Sequence, residues 1–185
     1  MVEDAHQWFA VMVKPRFEKS VAVILQSKGY ENFTPVTVRR QEWSDRWKTV
    51  EFPLFPRYTF CRFRYDQRVP ILSTPGVLRI VGFGAKPCPI ADEEIESLRI
   101  AVASGLPMWN CDYMVFGEKV KVLKGPLAGI EGLYMESKAN ARVVLSVQLL
   151  QRSVYVEVDR EWTMPVSTEP RAYTSPQIGV SRRVS

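Results

Sequence analysis

The residues of this 185-residue chain best suited to chemistry are cations set among indoles. Between Thr37 and Arg68 stand Arg39, Arg40, Arg46, Lys48, Arg57, Arg62, Arg64 and Arg68, against only Glu42, Asp45, Glu51 and Asp66. Arg39, Arg40, Arg46, Trp47 and Lys48 are the densest group. Guanidinium and ammonium groups neutralise phosphates, and Trp43 or Trp47 can stack on an unpaired base, which holds single strands without reading their sequence. The group is a candidate contact for duplex or displaced single-stranded DNA; a solvated hairpin face is the competing reading. A net charge of +5, from 25 Lys+Arg against 20 Asp+Glu, agrees with a polyanionic partner.

Catalytic chemistry is poorly supplied. His6 is the only histidine, and no Ser/His/Asp set, HExxH helix, P-loop or strand-bound GxGxxG occurs. Glu93 and Glu94 are paired carboxylates, but their place at the start of a helical pattern is explained by the helix dipole. Cys61, Cys88 and Cys111 are odd in number and never form a CxxC, so neither a disulfide framework nor a metal site is expected. A reduced, cytoplasmic setting fits. Glu3 and Asp4 interrupt any apolar leader, and no stretch approaches the roughly 20 apolar residues of a membrane span. The inventory describes a binding protein with no cofactor, not an enzyme.

The elements that must carry these residues form two groups. Residues 8–13 are an unbroken apolar run, read as a strand buried on both faces, and from Phe17 the spacing of Val21, Ile24 and Leu25 turns helical, with Gly29 at the C-terminal cap. Residues 33–41 and 46–52 suggest a hairpin with its tip in water. Pro53 and Pro56 bracket a bend before a strand at 57–63, whose alternation places Tyr58, Phe60 and Arg62 on one face and Thr59, Cys61 and Phe63 on the other. Another apolar strand is expected at 77–83. Asp92 looks like the N-cap of a second helix with Ile95, Leu98 and Val102 inward, ended by Gly105 and Pro107. Residues 106–113 lack periodicity and read as linker. Beyond them FGEKVKVLKGPLAGIEG, at 116–132, sets an alternating basic strand before two glycine-punctuated turns, as a small barrel requires. The Ser/Pro/Arg-rich end at 167–185 reads as a disordered tail.

The 116–132 stretch resembles the KOW element, a ribosome- and nucleic-acid-associated barrel motif, with residues 142–158 as the rest of its barrel. Together with WFAVMVKPRFEK at 8–19, PLFPRYTFCRF at 53–63 and TPGVLRIVGFGAKPCPIADEEIESL at 74–98, it makes the chain resemble the NusG family of transcription elongation factors. The LFP-x-Y-x-F wording at 54–60 and VGFGAKP at 81–87 resemble specialised paralogues such as RfaH and the UpxY-type antiterminators. Arg57 stands where the family usually has glycine, Gln151 replaces the glycine of a late barrel turn, and Ile130 stands where the housekeeping protein commonly has phenylalanine. These departures argue against Rho recruitment more than against polymerase binding.

The resemblance implies an α+β fold: an antiparallel four-stranded sheet flanked by helices (the NGN domain, 6–105), a linker at 106–114, and a five-stranded SH3-like barrel at 115–166. It implies a monomeric factor that docks on the β′ clamp helices of RNA polymerase and suppresses pausing or termination. Trp8, Phe55, Tyr58, Phe60, Phe83 and Pro87 would form the docking groove, since rigid aromatics make good hot spots; the competing reading places about half of them in the core, Trp8 and Phe60 first. Gln67, Arg68 and Val69 would reach the opposite pincer, the β gate loop. Leu127, Ile130 and Leu149 would meet a small-subunit ribosomal protein, with a turn-anchoring core role the competing reading for Leu127 and Leu149, and the basic hairpin would meet non-template or upstream DNA. Two alternatives are a housekeeping NusG acting with Rho, and a ribosome-associated KOW protein that binds RNA.

Overall fold

The computed structural model describes residues 6–43, 46–84, 86–111, 113, 117–136 and 140–166; the expected tail at 167–185 lies outside them. The chain folds around β1 (Gln7–Val13), whose sequence QWFAVMV has almost no polar face. After α1 (Glu18–Ser27) and β2 (Glu31–Phe33) come the long hairpin strands β3 (Val36–Trp43) and β4 (Arg46–Pro53), then β5 (Tyr58–Phe63). A short helix α2 (Arg68–Leu72) leads to β6 (Val77–Ile80), and the two-residue strands β7 (Gly82–Phe83), β8 (Lys86–Pro87) and β9 (Pro89–Ile90) precede α3 (Asp92–Ala103). The main sheet has the order β2-β5-β1-β6 with β9 also on β1, and every pairing is antiparallel.

Alternation along β1 and β5 gives this sheet two apolar faces, as the sequence patterns of both strands require. Phe9, Val11, Val13, Cys61 and Phe63 pack under Val21 and Leu25 of α1 and Ile71 of α2. The Phe9 and Phe63 rings lie 4.6 Å apart. Trp8, Ala10 and Phe60 face the other way, toward Ile95, Leu98 and Ala101 of α3. The helix cap differs from expectation: Ala91 is the extended N-cap residue, and Asp92 already begins the helix without a side-chain cap bond. Asp92, Glu93 and Glu94 thus all occupy the first turn, where the dipole favours them. The strand expected at 77–83 breaks after Ile80, because the Val81 N–H donates to the Ala10 carbonyl while Gly82 and Phe83 pair with Pro87 and Lys86.

The second sheet is a barrel of β10 (Met108–Cys111), β11 (Lys119–Val122), β12 (Glu131–Glu136), β13 (Ala141–Val147), β14 (Arg152–Val158) and β15 (Thr163–Pro165). Its order is β10-β14-β13-β12-β11-β15. Five of these strands match the expected barrel. The sixth, β10, comes from the segment read as linker: Met108 to Cys111 pair with Val156 to Ser153, and Trp109 stacks on Tyr155 at 5.3 Å. Gly125 has φ 76°, and a methyl there would overlap the Trp162 ring, so the turn after β11 needs glycine on both counts. Both positions read as departures from family glycines also hold left-handed backbone, Arg57 at φ 71° and Gln151 at φ 51°.

Candidate functional site

The two cores do not close separately. Trp8, Phe55, Phe60, Ile90, Leu98 and Met108 belong to one buried cluster with Val120, Leu127, Val143 and Val156 of the barrel. The aromatic residues expected to form an open groove therefore divide by burial. Phe60 is fully buried, edge-on to Phe55 at 5.7 Å, and Trp8 is 3% exposed beneath the Arg99 guanidinium, 4.8 Å from its ring. Tyr58 and Pro87 are half-buried, and Phe83 on β7 is 77% exposed. Trp8, Phe55 and Phe60 are thus not free docking anchors in this arrangement; Tyr58, Phe83 and Pro87 keep surface to offer.

Specific polar contacts hold the seam shut. The Arg39 Nη2 donates to the Met108 carbonyl at 2.6 Å, the Met108 N–H donates to Thr37 Oγ1 at 3.3 Å, and Asn110 Nδ2 donates to the Leu54 carbonyl. Arg152 of β14 places its guanidinium 5.4 Å from the Tyr58 ring centre. Glu94 on α3 has its carboxyl raised above the usual carboxylate range by burial, opposed by a hydrogen bond from the Gln148 backbone, with the Glu93 charge adding a smaller push upward. Composition could not reveal these contacts, since each joins residues that are distant in sequence; nothing in the chain marks Arg99 or Arg152 as ring partners.

The hairpin separates the basic group into two sets. Arg39 pairs with Val50, Gln41 with Lys48 and Trp43 with Arg46, so Arg39, Arg46 and Lys48 share one face. Arg40 pairs with Thr49 and Glu42 with Trp47, placing Arg40 and Trp47 on the other face. Arg39 is turned into the seam, its Cζ lying 5.7 Å from the Phe52 ring and 5.9 Å from Trp109, with a buried Nε that has no acceptor. Its charge serves the protein interior. Arg40 is exposed and Trp47 is 62% exposed, as a strand-binding face requires.

Gln67, Arg68 and Val69 lie at the start of α2, with Val69 exposed and Arg68 drawn over the Tyr65 ring at 4.6 Å. In the barrel, Leu127 and Ile130 are buried and Leu149 packs partly against the same cluster, so the first two anchor turns and do not form an open patch. Burial, with a smaller contribution from the Glu31 charge, pushes the Cys61 thiol up to about 12 and leaves it inert. Among the described residues no group of three or more His, Cys, Asp or Glu is arranged to hold a metal, and no helix is long and apolar enough to cross a membrane.

Comparison with known proteins agrees along most of the length. The chain is 27% identical over 178 residues to the transcription termination/antitermination protein NusG of Thermus thermophilus, covering 83% of this chain and 95% of that one. It is 26% identical over 170 residues to the protein of the same name from Pseudomonas aeruginosa, with 84% and 96% coverage. A solved structure described as "Domain interaction in Thermotoga maritima NusG" is 17% identical, covers 88% of this chain and 98% of its own, and superposes with a TM-score of 0.48. The family model described as "Transcription termination factor nusG" matches residues 6–99, just over half of the chain, and on that match the protein belongs to the NusG family.

Proposed function

We propose that this protein is a transcription elongation or antitermination factor whose first domain binds the β′ clamp helices of RNA polymerase and suppresses pausing. The carrying observation is the apolar aromatic second face of the main sheet, with Tyr58 half-buried on it and Phe83 exposed on the neighbouring β7–β8 ribbon. Large rigid rings of this kind supply contact area at little entropic cost. Because the barrel packs across that face, clamp-helix binding through its centre requires the seam of Arg39, Asn110 and Arg152 to open. Gln67, Arg68 and Val69 would then reach the opposite pincer, and bridging both sides disfavours the open, paused clamp.

Residues 6–105 act in this reading as the polymerase module and 115–166 as the recruiting module. A barrel released from the seam but still tethered searches for its partner at high effective concentration. A small-subunit ribosomal protein is favoured over Rho, since Ile130 and Gln151 depart from the housekeeping pattern. The factor would act in the cytoplasm as a monomer. A binding titration of the intact chain against core polymerase tests the reading: a clamp-helix fragment should compete for the protein, and a fragment without effect would refute it.

A further inference from the structure

We infer that Arg16 and Arg57 form a phosphate clamp that extends the nucleic-acid path of the hairpin onto the body of the first domain. Both arginines hold left-handed backbone, at φ 67° and 71°, where glycine is at ease and a side chain is strained. They line one cavity of about 360 Å³ with Pro15, Val36, Pro53 and Pro56, and with Glu18 and Lys19 at its wall. Both residues are exposed, and neither guanidinium has a hydrogen-bond or ion-pair partner among the described residues. The nearby acids are already engaged. Glu18 Oε1 accepts the Arg57 backbone N–H at 2.7 Å, and Glu51 pairs with Lys19.

Strand register connects this cavity to the exposed half of the basic group. Val36 pairs with Pro53, and counting in twos along the ribbon places Val36, Val38, Arg40 and Glu42 on the same face as Pro53, Glu51, Thr49 and Trp47. From the Glu42–Trp47 pair to the Val36–Pro53 pair is six residues, about 20 Å of strand. A single strand laid along that face would meet the Trp47 indole and Arg40 near the tip, then the proline floor and the two arginines at the base. Guanidinium pairs hold phosphate oxygens, and an apolar shelf takes a sugar or base face. A strained residue retained without an internal partner is the pattern expected of a side chain kept for a ligand.

The inference rests on the chain being a DNA-contacting factor, and its test uses free DNA so that failure of polymerase binding is a separate result. The intact chain is titrated by fluorescence anisotropy with labelled oligothymidylate of about 12 nucleotides over a range of salt concentrations. Arg16→Gly and Arg57→Gly should each lower the logarithmic salt slope by about 0.7, the value for one single-strand phosphate contact. Each should also raise the thermal midpoint by about 2–4 °C as backbone strain is relieved. Arg57→Asn, which tolerates left-handed backbone, should show the same loss of slope, while Lys124→Ala in the barrel should leave it unchanged. An unchanged slope in the arginine variants, or a lowered midpoint, overturns the clamp. Competition by polyglutamate as effective as by oligothymidylate overturns it in favour of an acidic protein partner.

Discussion

Phe60 and Phe83 are chemically identical residues to which the structure gives opposite roles, and their alanine variants separate folding from binding. Phe60 is fully buried between Phe55 at 5.7 Å and Phe33 at 6.4 Å, on the face of β5 that joins the shared core. Removing a buried phenyl ring loses its transfer energy and leaves a cavity, about 3–5 kcal/mol. For a chain of this length that is a fall of about 6–20 °C in thermal midpoint, a large share of the stability of an ordinary domain. Phe83 is 77% exposed on a two-residue strand, so Phe83→Ala should change stability by no more than about 0.5 kcal/mol. If it is a docking anchor, the same change weakens polymerase binding by about 1–3 kcal/mol, a factor of about 5 to 150 in Kd. Thermal denaturation and a polymerase-binding titration on both variants give the four numbers. A Phe83→Ala protein that binds polymerase normally, or one that melts as early as Phe60→Ala, would refute the reasoning.

Three further outcomes follow from the geometry. Arg40→Ala should lower the salt slope of single-strand binding by about 0.7, whereas Arg39→Ala should leave the slope unchanged and destabilise the seam; equal slope losses would contradict the two-faced hairpin. Glu94, whose carboxyl is raised by burial, holds its proton in the folded chain over a pH interval where the unfolded chain has lost it. Stability therefore falls as pH rises from about 4 through that interval. Glu94→Gln should flatten this part of the curve in denaturant titrations; a wild-type advantage that grows with pH would reverse the sign. Cys61, buried and pushed up to about 12, should resist thiol reagents in the native protein and react only on unfolding, after half-buried Cys88 and Cys111; early labelling of Cys61 would show that the sheet opens.

The sheet and barrel were legible because their signals are local. The continuous apolar run of β1, the alternation of β5 and the glycine turns after β11 each encode their element within a few residues. The expected orientation of Tyr58 and Phe60 against Cys61 and Phe63 was legible for the same reason, since strand period alone decides it. What the sequence did not show is what covers each face. Trp8, Phe55 and Phe60 fit a groove or a core equally well in isolation, and the packing of α3 and of the distant barrel decides for the core. Met108–Cys111 has no sustained period because its strand is short and gains its order by pairing with β14. The basic group of the hairpin read as one patch, yet the pairing of β3 with β4 sends Arg39 inward and Arg40 outward. Arg57 stood out in the sequence only as a cation at a family glycine, and Arg16 carried no signal until its backbone angle was known.

Single-round transcription on a pausing template with purified core polymerase tests the central claim most directly. The intact chain should shorten the pause half-life, and Tyr58→Ala and Phe83→Ala should need about 5 to 150 times more protein for the same effect. A chain that binds polymerase yet leaves pauses unchanged or longer would contradict the account.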